Sequence, residues 1–584
     1  MSGTAPPPGD PQDVPGDAAN PGEPLTVDTG ERRGGRTAGE GTGVRRGAAL
    51  MAGGTAVSRL LGFLRAMVLV AAIGTTGQAA DAFSVANKMP NVLYMLLAGG
   101  VLNAVLVPQV VRAYRRDAGQ EYVDRLLTFG FALLAGVTVV LTLAAPLLVH
   151  VWADSGSTSQ FALATTFAYW CIPQLFFYGA YALLGQVLNA RGSFGPYMWA
   201  PVVNNLVSIA GFGLFFALVV RPAGTVPGAT GWTLGQVALL CGSATLGIVC
   251  QALVLVPFLR RAGVRYRWRW GLRGSGLGRA GTVAKWTFVG LAIGQLGYVV
   301  VSRVANAAPG ADGTPSTQIA GNAAYDLAFM VFMVPHSLVT VSLATALFTG
   351  LSARAHDGDV AGVRASLSVG MRVVAVFTMI AAAGLVVLAQ PVVRLFALRE
   401  PQGVVDAVAA VVVAMAVGLP AFGAWSMCQR VYYAYEDARG MVPVQVAMAA
   451  VVVAGTLLGR ALLPSSAWVV GAAVSMSVSY VLGTVLALRA LRGRLGGRVD
   501  GTHVLRTHAR TALAALVAGG AGYGTLLVVQ GAGPAGAPGA LLQCVVVGGV
   551  MGLVYLGALR LLHVRELDQL LGPVLRRLRG RRRP

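Results

Sequence analysis

Residues 56–74 read "AVSRLLGFLRAMVLVAAIG". The stretch is apolar and long enough to cross a bilayer, yet it holds Arg59 and Arg65 near its middle. A charged side chain at the bilayer centre costs at least ~2.5–3.5 kcal/mol on insertion scales. Two of them on one span need a reason. Either they line a wet cavity and meet an anion, or the segment is not a membrane helix.

The whole chain decides for the membrane. Of 584 residues, 55% are hydrophobic and 12% charged, with mean hydropathy +0.67. Those totals fit a polytopic membrane protein and not a soluble multidomain one. The net charge of +22 would suit a nucleic-acid binder, but the arginines fall in short loops between apolar runs, so no nucleic-acid partner is expected. Cys171, Cys241, Cys250, Cys428 and Cys544 all lie inside apolar runs, and the six histidines form no ligand pair. Neither a metal, a cofactor nor a disulfide framework is expected.

Residues 1–46 are rich in Pro, Gly, Asp and Thr before turning basic, and read as a disordered cytoplasmic tail. Fourteen apolar segments of about twenty residues or more follow. Loop charge alternates along them. "RAYRRDAGQEYVDR", "RRAGVRYRWRWGLRGSGLGR" and "RALRGRLGGRVDGTHVLRTHAR" fall on one side, while "TTGQAADA", "ADSGSTSQ" and "NAAPGADGTPSTQ" fall on the other. The arginine-rich side is cytoplasmic by the positive-inside rule, which puts both termini inside a plasma membrane. "LNARGSFGP" after the fourth span resembles "YEDARGMVP" after the tenth. A repeat at six spans implies two lobes related by a pseudo-twofold axis along the membrane normal, with the substrate between them. The expected fold is therefore an all-α bundle: an N-lobe over 47–259, a C-lobe over 280–490, two added helices over 511–562, and a basic cytoplasmic tail over 563–584.

Intramembrane charge concentrates in corresponding spans of the two lobes. Arg59 and Arg65 lie on the first, Asp81, Lys88 and Asn91 on the second, Arg303 on the seventh and Asp326 on the eighth. Asp81 and Lys88 are about two helical turns apart on one face, and Asn91 continues the stripe. Arg59 and Arg65 point about 120° apart, so both can border one cavity without stacking. The plainer readings are a snorkelling role for Arg303, and Asp326 as a structural partner of Arg303 or Arg59. Arg59, Arg65 and Lys88 sit deeper. Three buried cations, two of them planar forks, ask for a phosphorylated anion.

The stretch "SRLLGFLRAMVL…ADAFSVANKMPNVL…VP" resembles the signature of the MurJ (MviN) family, lipid II flippases of the multidrug/oligosaccharidyl-lipid/polysaccharide exporter superfamily. The resemblance implies fourteen helices around a cationic cavity, and a lipid-tail groove at the last two helices. It implies alternating-access transfer of undecaprenyl-pyrophosphate-linked muropeptide to the outer leaflet, in the service of peptidoglycan and cell-shape biogenesis. It also matches Arg59, Arg65, Asp81, Lys88 and Asn91 to the family's motif. On that reading Arg59, Arg65 and Lys88 bind pyrophosphate, and Asp81, Asn91, Arg303 and Asp326 line or gate the cavity. Partners would be lipid II, membrane lipids, and cell-wall synthesis or division proteins. The chain departs from the pattern at Tyr94 and Met95, where a basic pair is usual, at Gly99 and Gly100, and at Met330, where an arginine is expected. Arg303 would then compensate from the seventh span. Rival readings are export of another lipid-linked oligosaccharide and an inactive scaffold of the cell-wall machinery. An enzyme is disfavoured, because no outer loop is long enough to hold a catalytic acid cluster.

Overall fold

The computed structural model describes residues 38–98, 119–154, 157–225, 228–271, 277–311, 318–497, 499–532, 536–564 and 566. The N-terminal tail up to residue 37, the Gly99–Gly100 step and the basic tail beyond Glu566 lie outside the described residues. Helix α1 (Ala38–Ile73) begins inside the segment expected to be disordered.

The first half continues with α2 (Gln78–Leu97), α3 and α4 (Gly119–Leu143, Ala145–Trp152), α5 and α6 (Thr158–Cys171, Gln174–Ala190), α7 (Phe194–Phe215), and α8 and α9 (Ser243–Leu253, Leu255–Arg261). The second half holds α10 (Leu277–Ala307), α11 and α12 (Asn322–Pro335, Val341–His356), α13 and α14 (Val360–Val387, Ala389–Phe396), α15 and α16 (Gln402–Ala416, Leu419–Ala434), α17 (Ala438–Leu462) and α18 (Trp468–Arg494). Helices α19 (Gly501–Ala532) and α20 (Ala537–Leu561) follow. By length and apolarity, twelve helical runs of the described residues can cross a membrane, or thirteen with the α15–α16 pair, bent by 45°. The fourteenth expected span is α2, which Asp81, Asn87, Lys88 and Asn91 make too polar to qualify on those grounds.

Proline repeats the architecture. The third span breaks before Pro146 in α4, and its counterpart breaks just ahead of Pro391 in α14. The fourth span breaks at Pro173 and the tenth ahead of Pro420. Each proline lacks a backbone N–H and crowds the preceding turn, which interrupts the helix; at the α15–α16 break the axis bends by 45°. Close helix contacts repeat as well. A Cβ on Gly211 would come within 2.1 Å of Ser243, and one on Gly455 within 2.2 Å of Ser475. In lipid, where apolar surface gains little from leaving its surroundings, such small residues let backbones approach and dispersion do the binding.

Each half has its own core. Phe83, Phe167, Phe212 and Phe215 centre the first, and Phe332, Val408, Val412 and Ala473 the second. The last two helices lean on the second half. Tyr555 and Leu559 of α20 and Ala514 and Ala518 of α19 pack on Val376 of α13, and the Tyr555 hydroxyl donates to the Val376 carbonyl at 2.7 Å. The face of the bundle carrying the α1–α2 connection is called the turn face below, and the opposite one the terminal face.

Candidate functional site

Helix α1 runs to the turn face and α2 returns from it. Gly74 and Gly77 between them adopt φ of 80° and 97°, which L side chains resist. Three residues into α2, Asp81 is fully buried. One of its carboxylate oxygens accepts the Ala323 N–H at 2.8 Å. That N–H is among the unsatisfied donors opening α11, so a side chain of the first half caps a helix of the second. Gly321 leaves the room for this, since a Cβ there would lie 2.1 Å from Asp81 Oδ2.

Two turns further in, Lys88 Nζ meets Asp326 Oδ1 at 2.8 Å. The Ser84 hydroxyl donates to Asp326 Oδ2 at 2.5 Å, and the Tyr298 hydroxyl lies 3.3 Å from Oδ1. The Lys88 ammonium also lies 5.3 Å from the centre of the Tyr298 ring and 5.8 Å from that of Phe329. Asp326 therefore pairs with Lys88, and neither Arg303 nor Arg59 reaches it.

Arg303 sits near the turn-face end of α10. It donates to the carbonyls of His150 and Val151 and lies 4.0 Å from Asp154, which Arg460 contacts at 2.9 Å. Gln160 bonds Asn306 at 3.2 Å, and the Thr75 N–H donates to Glu400 at 3.0 Å. All of these join the two halves, and they gather at the turn face. Burial pushes the Glu400 carboxyl above its ordinary range, against the pull of the Thr75 N–H and the Arg394 guanidinium.

Arg59 and Arg65 stand apart from this clasp. Both are half-buried on α1, and neither is paired with a carboxylate among the described residues. Arg65 and Asn91 both lie beside Tyr178 of α6, and Tyr94 stacks on Tyr178 with ring centres 5.7 Å apart. Nearer the terminal face, Asn205 donates to the Ser58 carbonyl at 2.8 Å and holds α1 against α7 beside Arg59.

The structure thus divides the expected set. Arg59, Arg65 and Asn91 all lie on the first two helices of the first half. Asp81, Lys88 and Asp326 bridge the halves, and Arg303 closes their rim. Tyr94, Met95 and Met330, where cations were missing, are absorbed into packing. Sequence reading overlooked Ser84, Asp154, Tyr178, Tyr298 and Glu400. Only Asp154 had a signal, as an acid in a loop otherwise free of charge.

A family model described as "Lipid II flippase MurJ" matches residues 69–541. Among relatives, the chain is 27% identical over 462 residues to a probable lipid II flippase MurJ of Haemophilus influenzae, covering 74% of this chain and 83% of that protein. It is 27% identical over 452 residues to the lipid II flippase MurJ of Burkholderia cenocepacia, covering 75% and 81%. The fold is similar to a solved lipid II flippase MurJ in an inward closed conformation, with TM-score 0.65, 18% identity, and 90% and 100% of the two chains covered. It is also similar to an inward-facing multidrug resistance MATE transporter of the MOP superfamily, with TM-score 0.55, 16% identity, and 75% and 99% covered.

Proposed function

The chain belongs to the MurJ family of lipid II flippases, and on that premise we propose that Arg59 and Arg65 hold the diphosphate of its substrate while the Lys88–Asp326 clasp keeps the turn face shut. The protein is a transporter of lipid II and not an enzyme. The observation that carries the site is the contrast between its cations. Lys88 already has a carboxylate, whereas the two arginines of α1 have none among the described residues. An unpaired guanidinium inside a membrane protein is stabilised by water and by an anion, and a diphosphate fits its planar fork.

On this reading the turn face is extracytoplasmic and both chain ends are cytoplasmic, as the loop arginines require. The headgroup enters from the terminal face, and its charge is offset by Arg59 and Arg65, which lowers the desolvation cost of carrying it across. The polyprenyl tail stays in lipid beside α19 and α20. A diphosphate arriving next to Lys88 competes with Asp326 for the ammonium. Substrate binding would then loosen the pair that joins the halves, and opening of the turn face releases the headgroup outward. Each charge moved along the membrane potential is worth ~2.3 kcal/mol per 100 mV.

Translocation of labelled lipid II in proteoliposomes, with binding of undecaprenyl diphosphate measured in parallel, tests the assignment. A charge-assisted hydrogen bond is worth ~1.5–3 kcal/mol, so Arg59→Ala and Arg65→Ala should each weaken diphosphate binding by about tenfold or more. Arg303→Ala should leave binding unchanged, because its guanidinium is committed to the His150 and Val151 carbonyls. Unchanged binding in both α1 variants would remove the assignment.

A further inference from the structure

The segment after α9 has no place in the transport site. Residues 264–270 read "VRYRWRW" and are non-helical. Arginines and aromatics alternate along it, and the Trp268 and Trp270 rings meet edge to face with centres 5.7 Å apart. Both are well exposed, at 59% and 63%. Arg260, Arg261, Arg265 and Arg267 are exposed too, and none is in an ion pair among the described residues. The ribbon contains no acid.

Its position follows from how it is pinned. Tyr266 packs against Phe131 at 5.8 Å between ring centres, and its hydroxyl lies 2.9 Å from Thr128 Oγ1. The Arg269 N–H donates to the same Thr128 oxygen at 3.2 Å, and its guanidinium meets Glu121 at 2.8 Å. Thr128 is where α3 changes character: Glu121, Asp124 and Arg125 precede it, and an uncharged, mostly apolar run follows to Leu143. The ribbon therefore lies across the boundary between polar and apolar ends of a span, where a membrane presents its headgroups. Indole rings favour that layer, and arginines there favour anionic lipid.

We propose that residues Arg260–Trp270 form a binding site for anionic phospholipid headgroups on the leaflet at the terminal face. Trp268 and Trp270 enter the interface, and Arg265 and Arg267 contact lipid phosphate. The site is separate from Arg59 and Arg65 and takes ordinary membrane lipid, not the transported diphosphate. Charge complementarity singles out this occupant: the unpaired charge is all positive, and the exposed area beside it is aromatic.

The test uses the full chain in phosphatidylcholine vesicles containing either dibrominated phosphatidylglycerol or dibrominated phosphatidylcholine, read by tryptophan quenching. Brominated phosphatidylglycerol should quench more strongly at equal fraction, and the excess should shrink in high salt. In Trp268→Phe/Trp270→Phe that excess should vanish. Arg265→Gln/Arg267→Gln should keep the quenching by brominated phosphatidylcholine while losing preference for the anionic lipid, by roughly five-fold for each arginine. Arg492→Gln, on another terminal-face segment, should change neither. Equal quenching by the two lipids in the unaltered protein overturns the proposal. So does a preference that survives the double arginine substitution, including the case in which the ribbon instead captures an acidic protein. Failure would leave the α1 assignment untouched, because undecaprenyl diphosphate binding is measured separately.

Discussion

Replacing Lys88 by Met and Asp326 by Asn, singly and together, asks whether this pair closes the turn face. Two unit charges 2.8 Å apart attract by about 6 kcal/mol at an effective dielectric near 20. Desolvation removes much of that. The side chains keep 33% and 20% exposure, so water also screens them. A net coupling of ~1–3 kcal/mol remains, equivalent to a shift of about 5- to 150-fold between closed and open arrangements. Lys88→Met should cost more than the pair is worth, because Asp326 would keep only the Ser84 and Tyr298 hydroxyls. The double variant should recover part of the loss. Spin labels at Thr225 and Gly403, exposed turn-face positions of the two halves, would report the closed fraction as a distance distribution. Strictly additive effects, or a closed fraction indifferent to both substitutions, would show that the pair does not join the halves. Lys88 would then return to the set of diphosphate cations.

Other positions on the clasp give separate outcomes. Gly321→Ala places a methyl 2.1 Å from Asp81 Oδ2 and should lower thermal stability by ~1–3 kcal/mol; Asp81→Ala should relieve part of that loss in a melting assay. Glu400 is half-buried at the turn face and its pKa is raised by that desolvation, so closing this face should take up protons there. Closure should strengthen as pH falls through its folded pKa and weaken above it, and Glu400→Gln should flatten that dependence in the same distance measurement. Asp154→Ala removes the acid shared by Arg303 and Arg460. All three side chains are about a third exposed or more, so the cost should stay below ~1 kcal/mol and disappear in high salt; a larger loss would mean the rim holds the halves more firmly than its exposure allows.

Residues 56–74 and their like determined, by themselves, that this chain is a bundle of membrane helices. Apolarity over twenty residues is a local property, and so is the arginine content of a short loop. The "ARGSFGP" and "YEDARG" turns announced two related halves for the same reason, since each turn is written within a few residues of itself. Arg59 and Arg65 were legible as candidate cations because charge inside an apolar run is conspicuous wherever the helix packs.

What the tertiary structure alone decided is which charges satisfy one another. Lys88 and Asp326 lie on helices of different halves, and either could have faced a cavity, a lipid or a different partner. Asp81 as a cap on α11 depends on Gly321 sitting opposite it, and nothing near Asp81 in the chain encodes that meeting. Arg303, expected as a spare substrate cation, was drawn instead to the open carbonyls at the end of α4. Unsatisfied donors and acceptors compete for charge only once the helices are side by side, and the winner is set by ångström-scale proximity that periodicity and composition do not contain.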